Sequence, residues 1–337
     1  MNESGVGLAA GLRIGVVVPT REAFLQSLPA AGLVDFAARA EDLGFESVWV
    51  GDSLTARPRF EPLVLLGAIA TRTTQVAIGT AALTASLRPT ALAAHSIATV
   101  DQLAEGRLVL GLGAGFPMEE TELEFAAADA TYRRRIAQLE RNVAIWRWLW
   151  GDPSARPPSG IDEAIAQALG AMPRPARPGG PPLWLAGSGP NALDRAGRLF
   201  DGWLPYPPTA AEFDAQRAAV GAAAQHAGRT TPVECAAYVT VVIDDRPAAA
   251  SERLDRFSRL YYGFSGETLR LIQAVVAGPP DACAVQLCEY VAAGADHLVL
   301  RLGDLEGSNL LGPLAGVADR VRSSSTGHAL ASAKEDR

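Results

Sequence analysis

The sequence predicts a single (β/α)8 barrel, the TIM-barrel class, with one insertion on a barrel rim. Three observations predict it. In the first third of the chain, short apolar runs alternate with segments of helical periodicity, joined by short links. That is the pattern of a parallel sheet with right-handed crossovers. The alternation resumes after an irregular stretch and brings the strands to the number a barrel needs. A chain of 337 residues with no second compositional block suits one barrel unit over residues 1–322, with an insertion at about 151–182 and a disordered tail at 323–337.

The elements follow in order. Residues 1–11 form a loose leader. Arg13–Pro19 is a first buried strand, stopped by Pro19. Leu33, Phe36, Ala37, Ala40 and Leu43 recur at helical spacing, and Gly44 ends that helix. Ser47–Val50, Val76–Gly79 and Leu108–Leu110 are the next strands, with helices at Leu63–Thr71 and from Pro89 to Leu103 between them. The run Leu108–Gly115 is apolar and then alternates glycine, which bares the backbone where the strand ends. A long helix spans about Tyr132–Trp150. The Pro-, Arg- and Gly-rich segment Gly151–Pro182 then crosses a barrel rim, as a lid or a partly disordered excursion, with one helical piece at Asp162–Leu169. Strands resume at Leu183–Ala186, Asp201–Leu204, Glu234–Ile243 and His297–Leu302. Helices fill Asn191–Leu199, Ala211–His226, Arg246–Ala277, Asp281–Ala293 and part of Leu310–Val321. The polar segment after Val321 is expected to be disordered.

Composition narrows the function. The formal net charge is −7 with no basic run, which argues against a nucleic-acid partner. No apolar run is long enough to cross a bilayer, and the N-terminus lacks the basic flank and apolar centre of a signal peptide. A cytoplasmic protein with no membrane association is expected. Cys235, Cys283 and Cys288 lack metal-type spacing and read as reduced thiols.

A barrel carries its site at the C-terminal ends of its strands. Those ends hold Pro19 and Thr20, Asp52 and Ser53, Thr80 to Thr84, Gly111 to Phe116, Gly187 to Gly189, Tyr206, and Arg301 to Asp304. No histidine pair or carboxylate cluster stands at metal spacing. Lys334 is the only lysine, which excludes a Schiff-base lysine on the rim. His297 falls at the opposite end of its strand, where a structural role is expected. A rim so poor in acids and bases points to a bound cofactor that carries the chemistry. Gly187-Ser188-Gly189-Pro190, between a strand and a helix N-terminus, suits a phosphate, although an ordinary capped turn has the same composition. Gly111–Gly115 could lie along a planar ring or simply form a tight turn. Together they suit a mononucleotide such as a flavin.

These residues carry a family resemblance. Ala40-Glu41-Asp42-Leu43-Gly44-Phe45 leading into Val48-Trp49-Val50-Gly51-Asp52, then Gly79-Thr80-Ala81-Ala82-Leu83-Thr84, Ala98-Thr99-Val100-Asp101-Gln102-Leu103 and Gly111-Leu112-Gly113-Ala114-Gly115 form one series. The chain resembles the bacterial luciferase-like flavin monooxygenases, which also contain deazaflavin-dependent dehydrogenases and reductases. The resemblance implies a flavin at the strand ends. Thr80, Ala81 and Ala82 would form a bulge behind the ring with a cis peptide at Ala81–Ala82. Gly113 and Ala114 would lie beside it, and Gly187, Ser188 and Gly189 would hold the phosphate. It implies Asp52 and Ser53 as catalytic candidates. Relatives often carry histidine where Ser53 stands, and deazaflavin sugar-phosphate dehydrogenases carry an acid where Ala114 stands. Phe116 and Tyr206 would shape the substrate pocket. The main expectation is a two-component monooxygenase that takes reduced FMN from a partner flavin reductase and uses O₂ on a small organic substrate. The alternatives are a deazaflavin-dependent hydride-transfer enzyme and a non-catalytic subunit. Relatives pair through helices beside the second and third strands, so a homodimer is expected, and the apolar run Leu63–Ala70 is consistent with it.

Overall fold

The structure is a computed structural model that describes residues 11–157, 162–305 and 307–335, so nearly all of the expected leader lies outside the described residues. β1 (Arg13–Val17) is followed by a short α1 (Thr20–Leu25) and by α2 (Ala31–Asp42), whose Leu33, Phe36, Ala37 and Ala40 are buried. β2 (Ser47–Val50) leads through a long loop to α3 (Pro62–Arg72), where the Glu61 carboxylate accepts the Val64 N–H at 2.7 Å and caps the helix. β3 (Ala77–Thr84), α4 (Thr90–Leu103), β4 (Leu108–Gly113), α5 (Glu119–Ala127) and α6 (Arg135–Leu149) come next. α7 (Glu163–Gly170) lies in the insertion and buries none of its residues. Then follow β5 (Leu183–Leu185), α8 (Pro190–Leu199), β6 (Gly202–Trp203), α9 (Ala210–His226) and β7 (Glu234–Ile243). The chain closes with α10 (Pro247–Tyr262), α11 (Gly266–Ile272), β8 (Val275–Gly278), α12 (Pro280–Ala292), β9 (His297–Leu302) and α13 (Leu311–Glu335).

Every strand pairing is parallel, and β1 pairs with both β2 and β9 while β7 pairs with both β6 and β9. Strands β1 to β7 and β9 therefore close the expected eight-stranded barrel. The ninth strand, β8, falls where the sequence reading placed only helix. It pairs with the upper end of β7, Val275 opposite Thr240 and Gly278 opposite Ile243, outside the barrel wall. β7 is ten residues long, and its overhang needs a partner for its backbone. Four residues ending in glycine give no periodicity signal of their own.

The barrel interior follows the two-residue period of its strands. Trp49 of β2 and Trp184 of β5 fill the middle layer with ring centroids 5.3 Å apart, packed with Val17, Val109, Leu204, Ala236 and Val299. The two indoles leave no room for a side chain at the facing positions of β3 and β6. A Cβ on Gly79 would lie 2.6 Å from the Trp49 ring, and one on Gly202 would enter the Trp184 ring. Beneath them, Trp49 Nε1 donates to Ser47 Oγ at 2.7 Å, and Ser47 Oγ lies 2.7 Å from His297 Nε2. His297 is thus structural, as expected.

Two expectations need correction. The insertion was placed over a rim where it could act as a lid on the site. Arg177 N–H donates to Asp101 Oδ2 at 3.2 Å, and Gln102 Nε2 donates to the Arg174 carbonyl at 2.9 Å. Both partners lie at the C-terminal end of α4, so the insertion runs over the N-terminal rim, away from the strand ends. It joins the end of α6 to the start of β5, and helix-to-strand links run at that end of a barrel. The polar tail after Val321 is helical through Glu335. Leu311, Leu314, Val317, Ala318 and Val321 anchor its buried start, and extending a nucleated helix costs little. Ser323 and Ser325 donate their hydroxyls to the carbonyls of Asp319 and Val321. Among the described residues, no helix is long and apolar enough to cross a membrane.

Burial, and then the nearby Arg13 charge, holds the His297 imidazole well below its ordinary pKa. Glu234 lies 3.7 Å from His297 Nδ1 but is paired with Arg13. The unfolded chain therefore binds a proton that the native state refuses, and stability falls as pH drops below about 6.5, by up to about 1.4 kcal/mol per pH unit. Urea unfolding of wild type and His297→Gln between pH 7.5 and pH 5.5 should show a steeper decline in the wild type. Parallel curves would refute a neutral, buried imidazole.

Candidate active site

The site begins where β3 leaves its register with β4. The pairing shifts between Thr80 and Leu83, and the Ala81–Ala82 peptide is cis, as the sequence reading placed it. Thr80 Oγ1 donates to the Gly111 carbonyl at 2.8 Å. A Cβ on Gly111 would strike the Thr80 carbonyl oxygen, so this glycine serves the bulge itself. Gly115 has φ +82°, and a Cβ there would lie 2.8 Å from Thr121 Cγ2. Of the three glycines read as one bare surface, Gly113 alone would take a Cβ without a clash, with the Ala82 methyl at 3.4 Å as its neighbour. The bare surface is therefore narrower than expected and consists of the half-buried Ala81, Ala82, Gly113 and Ala114.

Beside it, β5 pairs with β4 and delivers Gly187-Ser188-Gly189 to the N-terminus of α8. Trp203 Nε1 donates to the Gly187 carbonyl at 2.8 Å and fixes the turn. Among the described residues, no protein acceptor takes the N–H of Ser188, Gly189 or Asn191, no side chain caps the helix, and nothing lies within 4 Å of a Cβ on Gly189. Free donors at a helix start next to a side-chain-free slot fit a phosphate joined to a planar ring.

Asp52 and Ser53 follow β2 at its C-terminal end, where the sequence places them. The Asp52 carboxylate accepts from Arg88 Nη1 at 2.6 Å and Nη2 at 3.0 Å, and from the Thr84 N–H at 2.9 Å. Ser53 Oγ donates to Glu124 Oε1 at 2.7 Å and accepts the Arg57 N–H at 2.7 Å. The same buried Glu124 oxygen accepts from the N–H groups of Leu54, Thr55 and Ala56. Asp52 thus ties the loop after β2 to the end of β3 and to Arg88, and Ser53 helps to fold the loop itself. Glu124 escaped the sequence reading because it sits among other acids in Glu119–Glu124 and no spacing marks it.

Across the mouth, the exposed Phe116 stacks loosely on Tyr206 at 5.9 Å, and Tyr206 meets Tyr238 edge-on at 6.5 Å. The structure brings the two predicted pocket residues together and adds Tyr238 from β7. Burial raises both phenols above their ordinary pKa, so both hydroxyls stay protonated at neutral pH. Neither hydroxyl bonds a protein partner among the described residues. Among those residues there is also no His, Cys, Asp or Glu cluster able to hold a metal.

A barrel with this bulge and phosphate turn matches the family profile described as luciferase-like monooxygenase over residues 12–297. The chain belongs to the luciferase-like monooxygenase family and is an oxidoreductase. It is 28% identical, over 79% of its length and 87% of the relative's, to the F420-dependent glucose-6-phosphate dehydrogenase of Amycolatopsis mediterranei. Its fold matches an F420-dependent secondary alcohol dehydrogenase solved with an F420–acetone adduct, with a TM-score of 0.70, 20% identity and 92% and 99% of the two chains covered. It also matches a monooxygenase of Streptomyces bottropensis, with a TM-score of 0.72, 18% identity and coverage of 90% and 97%.

Removing the Glu124 carboxylate should release the loop after β2. Glu124→Ala should lower stability by about 1.5–3 kcal/mol in urea unfolding, with Ser53→Ala costing less. An unchanged midpoint for Glu124→Ala would show that the loop holds without it.

Proposed function

We propose that this enzyme is a deazaflavin-dependent dehydrogenase or reductase that uses coenzyme F420. The observation that carries the reading is the set of unpartnered donors of Ser188 and Gly189 at the start of α8, on the same rim as the half-buried small residues Ala81, Ala82 and Gly113. That pairing suits any ring-and-phosphate coenzyme. The preference for F420 over the FMN expected from sequence rests on the F420 dependence of the relative that matches most of both chains. Bound F420 supplies or accepts a hydride. The chain's own residues bind and orient: Ser188 and Gly189 hold the phosphate, Ala81, Ala82, Gly113 and Ala114 seat the ring, and Phe116 and Tyr206 cover the substrate. The protonated hydroxyls of Tyr206 and Tyr238 are the groups available to hydrogen-bond a substrate oxygen. Ala114 stands where sugar-phosphate dehydrogenases carry an acid, so the relative's substrate is not carried over. Under this reading the partner that reduces FMN is replaced, in the substrate-reducing direction, by a source of reduced F420.

We further propose that the enzyme works in the cytoplasm, in keeping with its free thiols at Cys235, Cys283 and Cys288, and that it acts as a homodimer. Val64 and Leu92 are 75% and 64% exposed on α3 and α4 and line one groove with Leu103. A twofold axis would set this stripe against its copy. Sedimentation should show a dimer that Val64→Asp with Leu92→Asp converts to a folded monomer. A monomeric wild type would overturn that assembly.

Fluorescence titration should show F420 binding in preference to FMN. Gly113→Val should weaken F420 binding about tenfold or more with little change in melting temperature. Reduced F420 should support substrate reduction under strict anaerobiosis. Selective FMN binding together with a requirement for O₂ would overturn the reading in favour of a monooxygenase.

A further inference from the structure

Opposite the phosphate turn, on the β1, β2 and β9 side of the mouth, four arginines converge. Arg301 rises inside the barrel on β9, above Val299, and is 3% exposed. Its guanidinium lies 3.8 Å from the Tyr261 ring centroid and 4.5 Å from that of Phe257, and Nη1 donates to the Tyr262 hydroxyl at 2.6 Å. Its Nη2 stands 3.5 Å from Glu22 Oε1 and makes no hydrogen bond. Arg21 is 9% exposed, gives Nη2 to the Tyr261 carbonyl at 3.2 Å and leaves its buried Nε and Nη1 unpartnered. Arg59 reaches in from the loop after β2. Its Nε donates to the Arg57 carbonyl at 3.2 Å, and its Nη1 lies over the bare backbone of Gly51, where a Cβ would overlap it. Neither Nη of Arg59 bonds a protein acceptor among the described residues. Arg57 stands over the Tyr262 ring at 5.4 Å.

The charges do not balance. Four guanidinium groups act on one another here, and Glu22 is the carboxylate set against them. Burial keeps Tyr238 and Tyr261 protonated, so they contribute dipoles and ring faces but no charge. Buried cations without counter-charge are costly, and planar guanidinium forks match oxyanions in geometry as well as sign. The cost is relieved by an anion that reaches the Nη groups of Arg59, with Arg21 and Arg301 supplying field from behind. We propose that this cluster is a subsite for an oxyanion of the substrate, a carboxylate or a phosphoryl group, with Arg59 as its direct ligand. β1 and β2 lie across the barrel from β5, so the subsite is separate from the turn at Ser188. The inference rests on the hydride-transfer reading only in calling the anion part of the substrate.

The test uses calorimetric titration of F420-saturated protein with inorganic phosphate and, separately, with acetate, at constant ionic strength. One of the two anions should bind at one equivalent, and the tighter one identifies the group as phosphoryl or carboxylate. Arg59→Gln should weaken that binding about tenfold or more, while Arg59→Lys keeps part of it and F420 affinity stays unchanged. Should Arg59→Gln fail to fold, Arg59→Lys carries the test, with weakened binding expected and binding equal to wild type overturning the subsite. Binding of neither anion by the loaded wild type, or equal binding by wild type and Arg59→Gln, would overturn the subsite. The same titration without F420 separates the two readings. Arg59-dependent anion binding in a protein that takes no F420 would leave the subsite standing and remove the functional reading. F420 binding with no Arg59-dependent anion would do the reverse.

Discussion

The architecture depends on how two tryptophans fill one barrel. An eight-stranded barrel has an interior just wide enough for side chains, and Trp49 and Trp184 occupy its middle layer together. Their bulk dictates glycine at Gly79 and Gly202 on neighbouring strands, because a single methyl there would overlap an indole. Ser47 and His297 seal the layer below through buried hydrogen bonds. The plug closes the barrel from beneath, so whatever binds must approach from the strand ends. Small residues on β3 and β4 just above it leave the flat space at Ala82 and Gly113.

Much of this was legible in the sequence because the signals were local. Alternating strands and helices marked the barrel, and Thr80-Ala81-Ala82 marked the bulge through the resemblance. Local reading failed where a residue's reason lay elsewhere in the chain. Gly111 looks like part of a ligand surface until the Thr80 carbonyl is found against it, and Gly115 until Thr121 is. The partners of Asp52 and Ser53, Arg88 and Glu124, are likewise invisible until the chain is folded. The insertion is a failure of a different kind. Its position between a helix and a strand already implied the N-terminal rim, and connectivity outweighed its lid-like composition.

The arginine cluster shows where sequence reading ends. Arg21, Arg57, Arg59 and Arg301 come from three distant segments of a chain with arginines spread along its length. Nothing in their spacing separates them from the surface arginines that pair along helices, such as Arg198 with Asp194 or Arg259 with Asp255. What distinguishes them is convergence on one carboxylate, Glu22, with Arg21 and Arg301 buried and Arg57 and Arg59 half-buried, which exists only after the barrel brings β1, β2 and β9 together. Exposed pairs of the first kind contribute little to stability, whereas buried cations must be answered by something.

The two halves of the mouth therefore obey opposite rules. On the β3 to β5 side the chain withdraws its side chains and offers backbone, which suits a flat neutral ring held by its phosphate. On the β1, β2 and β9 side it concentrates aromatic faces and positive charge, which a flat ring has no use for. Glu22 sits against Arg301 without a hydrogen bond to it, so it tempers the cationic field without quenching it. The Tyr206 and Tyr238 hydroxyls stand at the boundary between the halves, protonated and without protein partners. A substrate spanning the mouth would thus meet a charge at one end, neutral donors in the middle and a bare ring seat at the other. That order matches a molecule anchored through an anion and transformed at a neutral oxygen-bearing carbon.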